Sequence, residues 1–404
     1  MIEQKDEYFN PPPMRTLSFD IESSSIKPEE GETYQIGCCL KENGVTRNVL
    51  LCLNTCSGIE NTEIFPFQTE KELLIAFTKF VQTTDPDIIT GYNIEGYDFY
   101  FILERAKILN IENEVNKLAR CTTSSCECRL QKNVGSAQRG FQDIRTTRIG
   151  GRVVLDAMVV IKELPLNLSH YSLNYVSQTL LKDDEKDDVH YTEITPLQLK
   201  NEFTRAKLGK YCIKDCILPL KLIQKCNLYG LNDAISSLTG APLNKIIGKG
   251  QGVKISILFY HTLKSKDMIV EFKKLVAQGE YQGAIVLHPI SGLHNYVIVL
   301  DFKSLYPSIM REYKLCVSTR VINASSDPSA PLPLSLEEKD VIRIGDKGVF
   351  VKPEKATGFV PELLKHLGES RTSTKKLMNQ AKKKGNVELE TNLNVKQLAI
   401  KIIM

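Results

Sequence analysis

No apolar run in the 404 residues approaches the roughly 18 that a membrane-crossing helix needs. The opening Met1-Ile2-Glu3-Gln4-Lys5-Asp6-Glu7 is also too charged for a secretory leader. These two lacks point away from membranes and from secretion. A disulfide framework is missing as well: the eleven cysteines are odd in number and scattered, which suits a reducing compartment. Cys121, Cys126 and Cys128 cluster without a second pair of ligands, so a loop with free thiols is favoured there over a zinc site. What is present is ordinary in bulk, with 42% hydrophobic and 25% charged residues. The length suits two or three domains at about 150 residues each. The net charge of +4 is unevenly placed: residues 361–404 carry nine Lys or Arg against four Glu, a net +5, which leaves −1 for residues 1–360. Such a basic end is either a solvated helix face or a surface that meets phosphate.

Carboxylates recur at the ends of short elements. Residues 1–14 end in three prolines and read as a linker, after which Arg15–Glu22 reads as a strand. Its period of two puts Asp20 and Glu22 on one face. Two like charges pointing the same way are unfavourable without a cation between them, so metal binding competes evenly with a solvated edge strand. Further strands are expected at Gln35–Leu40 and Val49–Leu53, and a helix at about Glu70–Gln82. Asp85-Pro86-Asp87 turns into the strand Ile88-Ile89-Thr90, and Gly91–Asp98 leads into a helix over Phe99–Leu109. Asp98 thus sits at a helix start, where the macrodipole favours a carboxylate whatever its role. Residues 121–148 read as a hairpin or long loop. Gly150–Asp156 is a strand ending in an acid of structural character, and Leu181–Asp188, with five acids in eight, is an exposed loop. A helix over 196–228 carries Tyr211 and Asp215, four apart and so on one face, a spacing common by chance.

The character changes after Leu231. Gly240-Ala241-Pro242 and the glycines at 248, 250 and 252 mark a boundary, a helix is expected at about 253–264, and Tyr281-Gln282-Gly283-Ala284 follows. The β-branched run Tyr296–Leu300 then reads as a buried strand that delivers Asp301, with Ser304 and Pro307 turning the chain into a helix. Strand-then-acid is itself a common pattern. Beyond the Pro/Ser-rich insert Ser325–Pro333, short strands are expected at Val341–Ile344 and Val349–Lys352. Pro361 opens a helix bearing Arg371 and Lys375 four apart, and Lys382–Asn386 turns into a second helix from 388. An Arg fork and a Lys point charge suit phosphate oxygens, against the plainer reading of a solvated helix face.

Taken together, Asp301-Phe302-Lys303-Ser304-Leu305-Tyr306-Pro307-Ser308 resembles the first polymerase motif of the family B DNA polymerases, nearest their delta-type branch. Gly91-Tyr92-Asn93-Ile94-Glu95-Gly96-Tyr97-Asp98 resembles the second exonuclease motif of the same family. Asp20 with Glu22, then Asp98, then Tyr211 with Asp215, stand in the order of a proofreading exonuclease of the DEDD type with a tyrosine. Tyr281–Ala284 resembles the family's element between exonuclease and palm, and Lys401 resembles the lysine that opens its second polymerase motif.

The resemblance implies an α/β, ribonuclease H-like 3′→5′ exonuclease domain with a mixed central sheet over 15–235. A partial α+β palm over 236–360 and a fingers helix pair over 361–404 would follow. It implies that Asp20, Glu22, Asp98 and Asp215 hold two Mg²⁺ ions, with Mn²⁺ tolerated, while Tyr211 orients the attacking water. Asp301 would bind the polymerase metals, Tyr306 pack under the incoming sugar, and Arg371, Lys375 and Lys401 grip the triphosphate. DNA primer–template, single-stranded 3′ ends and deoxynucleoside triphosphates are the implied partners, with a sliding clamp or accessory subunits contacted through regions outside this sequence. The implied place is the nucleus, or a site of viral DNA replication. The Asn-Ser-x-Tyr-Gly continuation, the Asp-Thr-Asp element and the thumb are not in the sequence, so a fragment of a replicative enzyme is expected. The alternatives are one piece of a split polymerase completed by a second chain and a stand-alone nuclease, the last argued against by Asp301 and Arg371.

Overall fold

The computed structural model describes residues 14–121, 124–136, 140–164, 166, 168–182, 189–269, 285–321, 331–344 and 348–404. Tyr281–Ala284 and most of the Ser325–Pro333 and Leu181–Asp188 segments lie outside the described residues. Two compact units form: one runs to Asp233 and adds Pro242–Gly250, and the other takes Ala234–Ala241 and Gln251–Met404.

The first unit is built on strand β1 (Thr16–Ser23), whose alternation decides its two faces. Leu17, Phe19 and Ile21 are buried on one side, where the Phe19 ring lies 5.2 Å from Phe77 and 5.0 Å from Phe99. Around β1 a six-stranded mixed sheet runs β4-β3-β2-β1-β5-β8. Its members are β2 (Thr33–Glu42), β3 (Val45–Leu53), β4 (Thr62–Phe67), β5 (Ile88–Gly91) and β8 (Val153–Asp156). β1 pairs antiparallel with β2 and parallel with β5, and β5 pairs parallel with β8. The β5 ladder spans only Thr16–Ser18 of β1, so the end of β1 that carries Asp20 and Glu22 is open on that side. Such a crevice beyond the carboxyl ends of parallel strands is where open α/β sheets place ligands.

Helices α1 (Glu70–Thr84) and α2 (Asp98–Ile108) cover the apolar face. A reciprocal cap starts α1: Thr69 accepts the Glu72 N–H while Glu72 accepts the Thr69 N–H. Past the short α3 (Glu112–Val115), strands β6 (Cys126–Ser136) and β7 (Gly140–Ile149) make a hairpin, one of the two forms expected there. Helices α4 (Ala157–Glu163) and α5 (Leu173–Leu181) follow. The single helix expected over 196–228 is broken, with the end of α6 (Tyr191–Lys200) and all of α7 (Glu202–Lys225) falling in that range and α8 (Leu228–Thr239) following it. The break comes at Asn201, whose side chain accepts the Thr204 N–H and caps α7, satisfying a backbone donor that a continuous helix would bond internally. α7 lies against β1 and β2.

In the second unit, α9 (Gln251–Lys264) and α10 (Leu305–Glu312) accompany a two-stranded sheet, β9 (Val341–Ile344) with β10 (Gly348–Val351). Two helices, Phe359–Lys383 and Val387–Ile403, pack along one another. Gly385, at a left-handed φ of 69°, makes the turn between them. The strand expected at Tyr296–Leu300 is absent. That run has no ladder, and its side chains are exposed, Tyr296 by 100% and Leu300 by 89%. Its apolar pattern is real, but a strand needs a neighbour to bond, and no strand among the described residues supplies one. Among the described residues no helix is long and apolar enough to cross a membrane.

One buried ion pair holds the first unit's helices to its sheet. Arg105 of α2 donates to both oxygens of Glu70 at the start of α1, at 2.6 and 3.0 Å among its contacts, and Glu70 also accepts the Thr33 N–H of β2 at 2.8 Å. Both side chains are nearly inaccessible, so removing one partner strands the other's charge. Arg105→Ala should cost about 3–5 kcal/mol in urea unfolding. The double change Arg105→Met with Glu70→Leu should cost less than Arg105→Ala alone.

Candidate active site

Asp20 and Glu22 project from the open end of β1, on the face opposite Phe19. Asp20 is half-buried and Glu22 buried. Asp98 enters from the start of α2, and its Oδ1 accepts the Ile21 N–H at 3.1 Å, which fixes it against the same strand. Asp215 is buried on α7, one turn beyond the half-buried Tyr211. The loop between β5 and α2 is held from below by Asp156: its Oδ1 accepts the N–H groups of Asn93 and Met158, both at 3.0 Å, and its Oδ2 accepts that of Glu95 at 3.1 Å. Asp156 is therefore the cap of α4 and the anchor of the Asp98 loop. The same loop is tied to the hairpin, because Glu95 Oε1 accepts the Thr147 N–H at 2.6 Å. A hydroxyl pair, Tyr97 with Ser23 at 2.6 Å, closes the loop onto the end of β1.

The electrostatics follow from this crowding. Burial, then the charges of Asp98, Cys212, Asp215 and Glu22, push the Asp20 carboxyl well above its ordinary range. Burial raises Asp98 to about 8, with the Asp156 and Asp215 charges adding to it and the Ile21 N–H opposing. Glu95, half-buried against the hairpin, is pushed by desolvation to about 7. Acids brought together out of water disfavour their own ionised forms unless a cation answers them. Carboxylate oxygens are the donors that Mg²⁺ and Mn²⁺ prefer. The paired oxygens of Asp20 and Glu22 thus suit a divalent metal, while Asp98 and Asp215 stand outside that close group, near enough for their charges to raise Asp20.

The sequence gives no hint of one further group. Donor atoms of Asp20, Glu22 and Cys212 lie within 4.8 Å of one another. The cysteine sits between Tyr211 and Asp215, and nothing in its neighbours separates it from the other ten. Among the described residues no other such donor group occurs, so Cys121, Cys126 and Cys128 do not gather one.

The residues singled out in the second unit are not assembled in the same way. Asp301 is exposed, on the unpaired segment that precedes α10. Tyr306, in α10, is 72% exposed. α10 packs against the helix that carries the half-buried Arg371 and the exposed Lys375, while Lys401 is exposed near the end of the last helix. Among the described residues no hydrogen bond or ion pair joins Asp301 to Arg371, Lys375 or Lys401, and the buried Arg371 Nε has no hydrogen-bond partner.

Comparison with known proteins bears on both units. Residues 1–176 match the profile of the DNA polymerase family B exonuclease domain, and residues 241–404 match that of DNA polymerase family B. The chain is 33% identical over 404 residues to the DNA polymerase delta catalytic subunit of Dictyostelium discoideum, covering 97% of this chain and 35% of that one. It is 35% identical over 408 residues to the subunit of the same name from Arabidopsis thaliana, covering 98% and 36%. The chain therefore spans about a third of the length of these relatives. The fold is similar to that of a family B DNA polymerase from the archaeon Pyrobaculum calidifontis, with a TM-score of 0.68 at 24% identity over 97% of this chain and 46% of that one.

The raised carboxyls make stability depend on pH and metal in a set direction. An acid whose folded pKa exceeds its unfolded 3.8 favours the fold while protonated, and that contribution is lost as pH rises through the folded value, about 8 for Asp98. With EDTA, the protein should melt higher at about pH 6 than at about pH 9. Asp98→Asn should raise the melting temperature at the higher pH, by roughly 2–4 °C per kcal/mol recovered. Mg²⁺ should raise it for the parent and much less for the variant. Thermal scans of both proteins check this; a parent that melts equally at the two pH values would contradict it.

Proposed function

Because the chain belongs to the family B DNA polymerases, we propose that its first unit is a 3′→5′ exodeoxyribonuclease and that its second contributes the opening part of a DNA-synthesising site. The observation that carries the first half is the pairing of Asp20 and Glu22 at the open end of β1, with Asp98 held to the same strand through the Ile21 N–H. These four residues would hold two divalent ions, Mg²⁺ with Mn²⁺ as a substitute. When bound, such ions supply an activated water and stabilise the leaving 3′-oxygen. The protein's own part is to set the ligands. β1 fixes Asp20 and Glu22, the Ile21 N–H fixes Asp98, and α7 presents Asp215 with Tyr211 one turn earlier, where its hydroxyl would orient the water. The substrate would be a single-stranded DNA 3′ end.

For the second unit, the match over 241–404 and the placing of Arg371 on a helix with Lys375 support triphosphate contact. Asp301 would bind metal, Tyr306 lie under the sugar of a deoxynucleoside triphosphate, and Lys401 add to the phosphate grip. Primer–template DNA is the proposed partner of this part.

The exonuclease reading is tested by release of nucleotides from single-stranded DNA with Mg²⁺ or Mn²⁺. Asp20→Ala with Glu22→Ala should lower the rate by at least ~100-fold, as even an ångström of misplacement can, while circular dichroism stays that of the parent. A double variant that cuts as fast as the parent would sink the metal assignment. For the second unit, Arg371→Ala should weaken triphosphate binding more than Lys383→Ala, because a charge-assisted fork outweighs a screened surface charge. Titration with a fluorescent triphosphate distinguishes the two variants, and equal losses would return Arg371 to a solvated helix face.

A further inference from the structure

The carboxylate cluster contains a donor for which the exonuclease reading has no use. Cys212 is fully buried on α7, three residues before Asp215, and its thiol donates to the Asp20 backbone carbonyl at 3.5 Å. Its sulfur belongs to the group whose donor atoms, with one oxygen each from Asp20 and Glu22, lie within 4.8 Å of one another. The close approach of α7 to the sheet has a definite cause. Gly37 stands opposite Asp20 in the β1–β2 ladder, and a Cβ there would lie 2.9 Å from the sulfurs of both Cys212 and Cys216. A glycine on β2 is thus what lets a thiol reach the back of the carboxylate pair.

Two carboxylates alone select hard cations such as Mg²⁺, and adding a thiolate shifts the preference towards Zn²⁺ and its softer congeners. Zinc takes sulfur at about 2.3 Å and carboxylate oxygen at about 2.0–2.2 Å, so the donors around one ion sit roughly 3.5–4 Å apart. An ion seated among the three would draw them inward from that spread. Three protein ligands would leave a fourth position open.

We propose that Asp20, Glu22 and Cys212 form a mixed oxygen–sulfur site that takes a thiophilic divalent cation, Zn²⁺ or Cd²⁺, in competition with Mg²⁺ at the exonuclease centre. The proposal rests on the reading of Asp20 and Glu22 as metal ligands. As the metal–sulfur bond forms, the Cys212 S–H bond breaks and its proton passes to solvent, with no electrons gained or lost. A cation so held draws one ligand pair around itself, in a geometry unlike that of two hard ions sharing four carboxylates, and nuclease action stops while it stays.

Cadmium titration followed by the ultraviolet sulfur-to-cadmium charge-transfer band tests this without relying on activity. The parent should show a band, part of which excess Mg²⁺ removes; that part isolates this site from the other cysteines. Cys212→Ser should lose the Mg²⁺-sensitive part. Cys216→Ser, an equally buried neighbour outside the donor group, should keep it. Asp20→Asn should need at least ~10-fold more Cd²⁺, since losing even an indirect partner of a metal costs 10–100-fold. A Mg²⁺-sensitive band unchanged in Cys212→Ser, its loss in Cys216→Ser as well, or its absence from the parent would each overturn the proposal. Release of nucleotides by the parent with Mg²⁺ is measured alongside. Failure there would remove the exonuclease reading, whatever the band shows.

Discussion

Carboxylates crowded at one end of β1 repel each other, and the first unit is arranged to hold them together in spite of it. The arrangement works because each acid is fixed by a different element. β1 cannot move its pair apart, since Phe19 is wedged between Phe77 and Phe99 beneath it. Asp98 is tethered to the same strand through the Ile21 N–H. The loop that delivers Asp98 is tied down by Asp156 from one side and by Glu95 and the hairpin from the other. The penalty of gathering these charges is thus met by apolar packing and backbone hydrogen bonds elsewhere, and it appears as carboxyl groups pushed towards their neutral forms.

Much of this was legible in the residues, because each part has a local cause. The alternation of Leu17, Phe19 and Ile21 with Ser18, Asp20 and Glu22 announces a strand with one apolar and one acidic face. Asp98 follows a glycine-bearing turn into an apolar helical pattern, whereas the polar, Gly- and Arg-containing run over 121–148 left a hairpin and a long loop both open. What was not legible depends on partners distant in sequence. Cys212 reaches the acids only because Gly37, far away in β2, has no side chain. The break in the 196–228 region is a local exception, where the Asn201 side chain accepts the Thr204 N–H and caps α7. Tyr296–Leu300 misleads for want of a pairing partner elsewhere in the sequence. Five apolar residues state a tendency to pair, and only a neighbouring strand can realise it.

The two units differ in how far local chemistry suffices. In the first, every acid of the proposed nuclease centre is positioned by elements of that unit. In the second, helix packing is well developed around Leu263, Cys316 and Phe359, and the basic helix stands in place with Arg371 half-buried. The residues around Asp301, by contrast, have neither ladder nor cover. The proposed nuclease centre draws on one sheet and two helices of a single unit, whereas the residues around Asp301 lack a partner strand among the described elements.

The placing of β1 at the centre of the sheet and of Asp215 on α7 also sets a timetable. Within the first unit, the strand that carries Asp20 and Glu22 is made before the helix that completes the ligand set, which is among the last of that unit's described elements. At ~5–20 residues per second, on the order of ten to forty seconds separate the synthesis of Asp20 from that of Asp215. For that interval the nascent chain carries an incomplete set of acids. The proposed cutting centre therefore comes into being only once nearly the whole unit has been made.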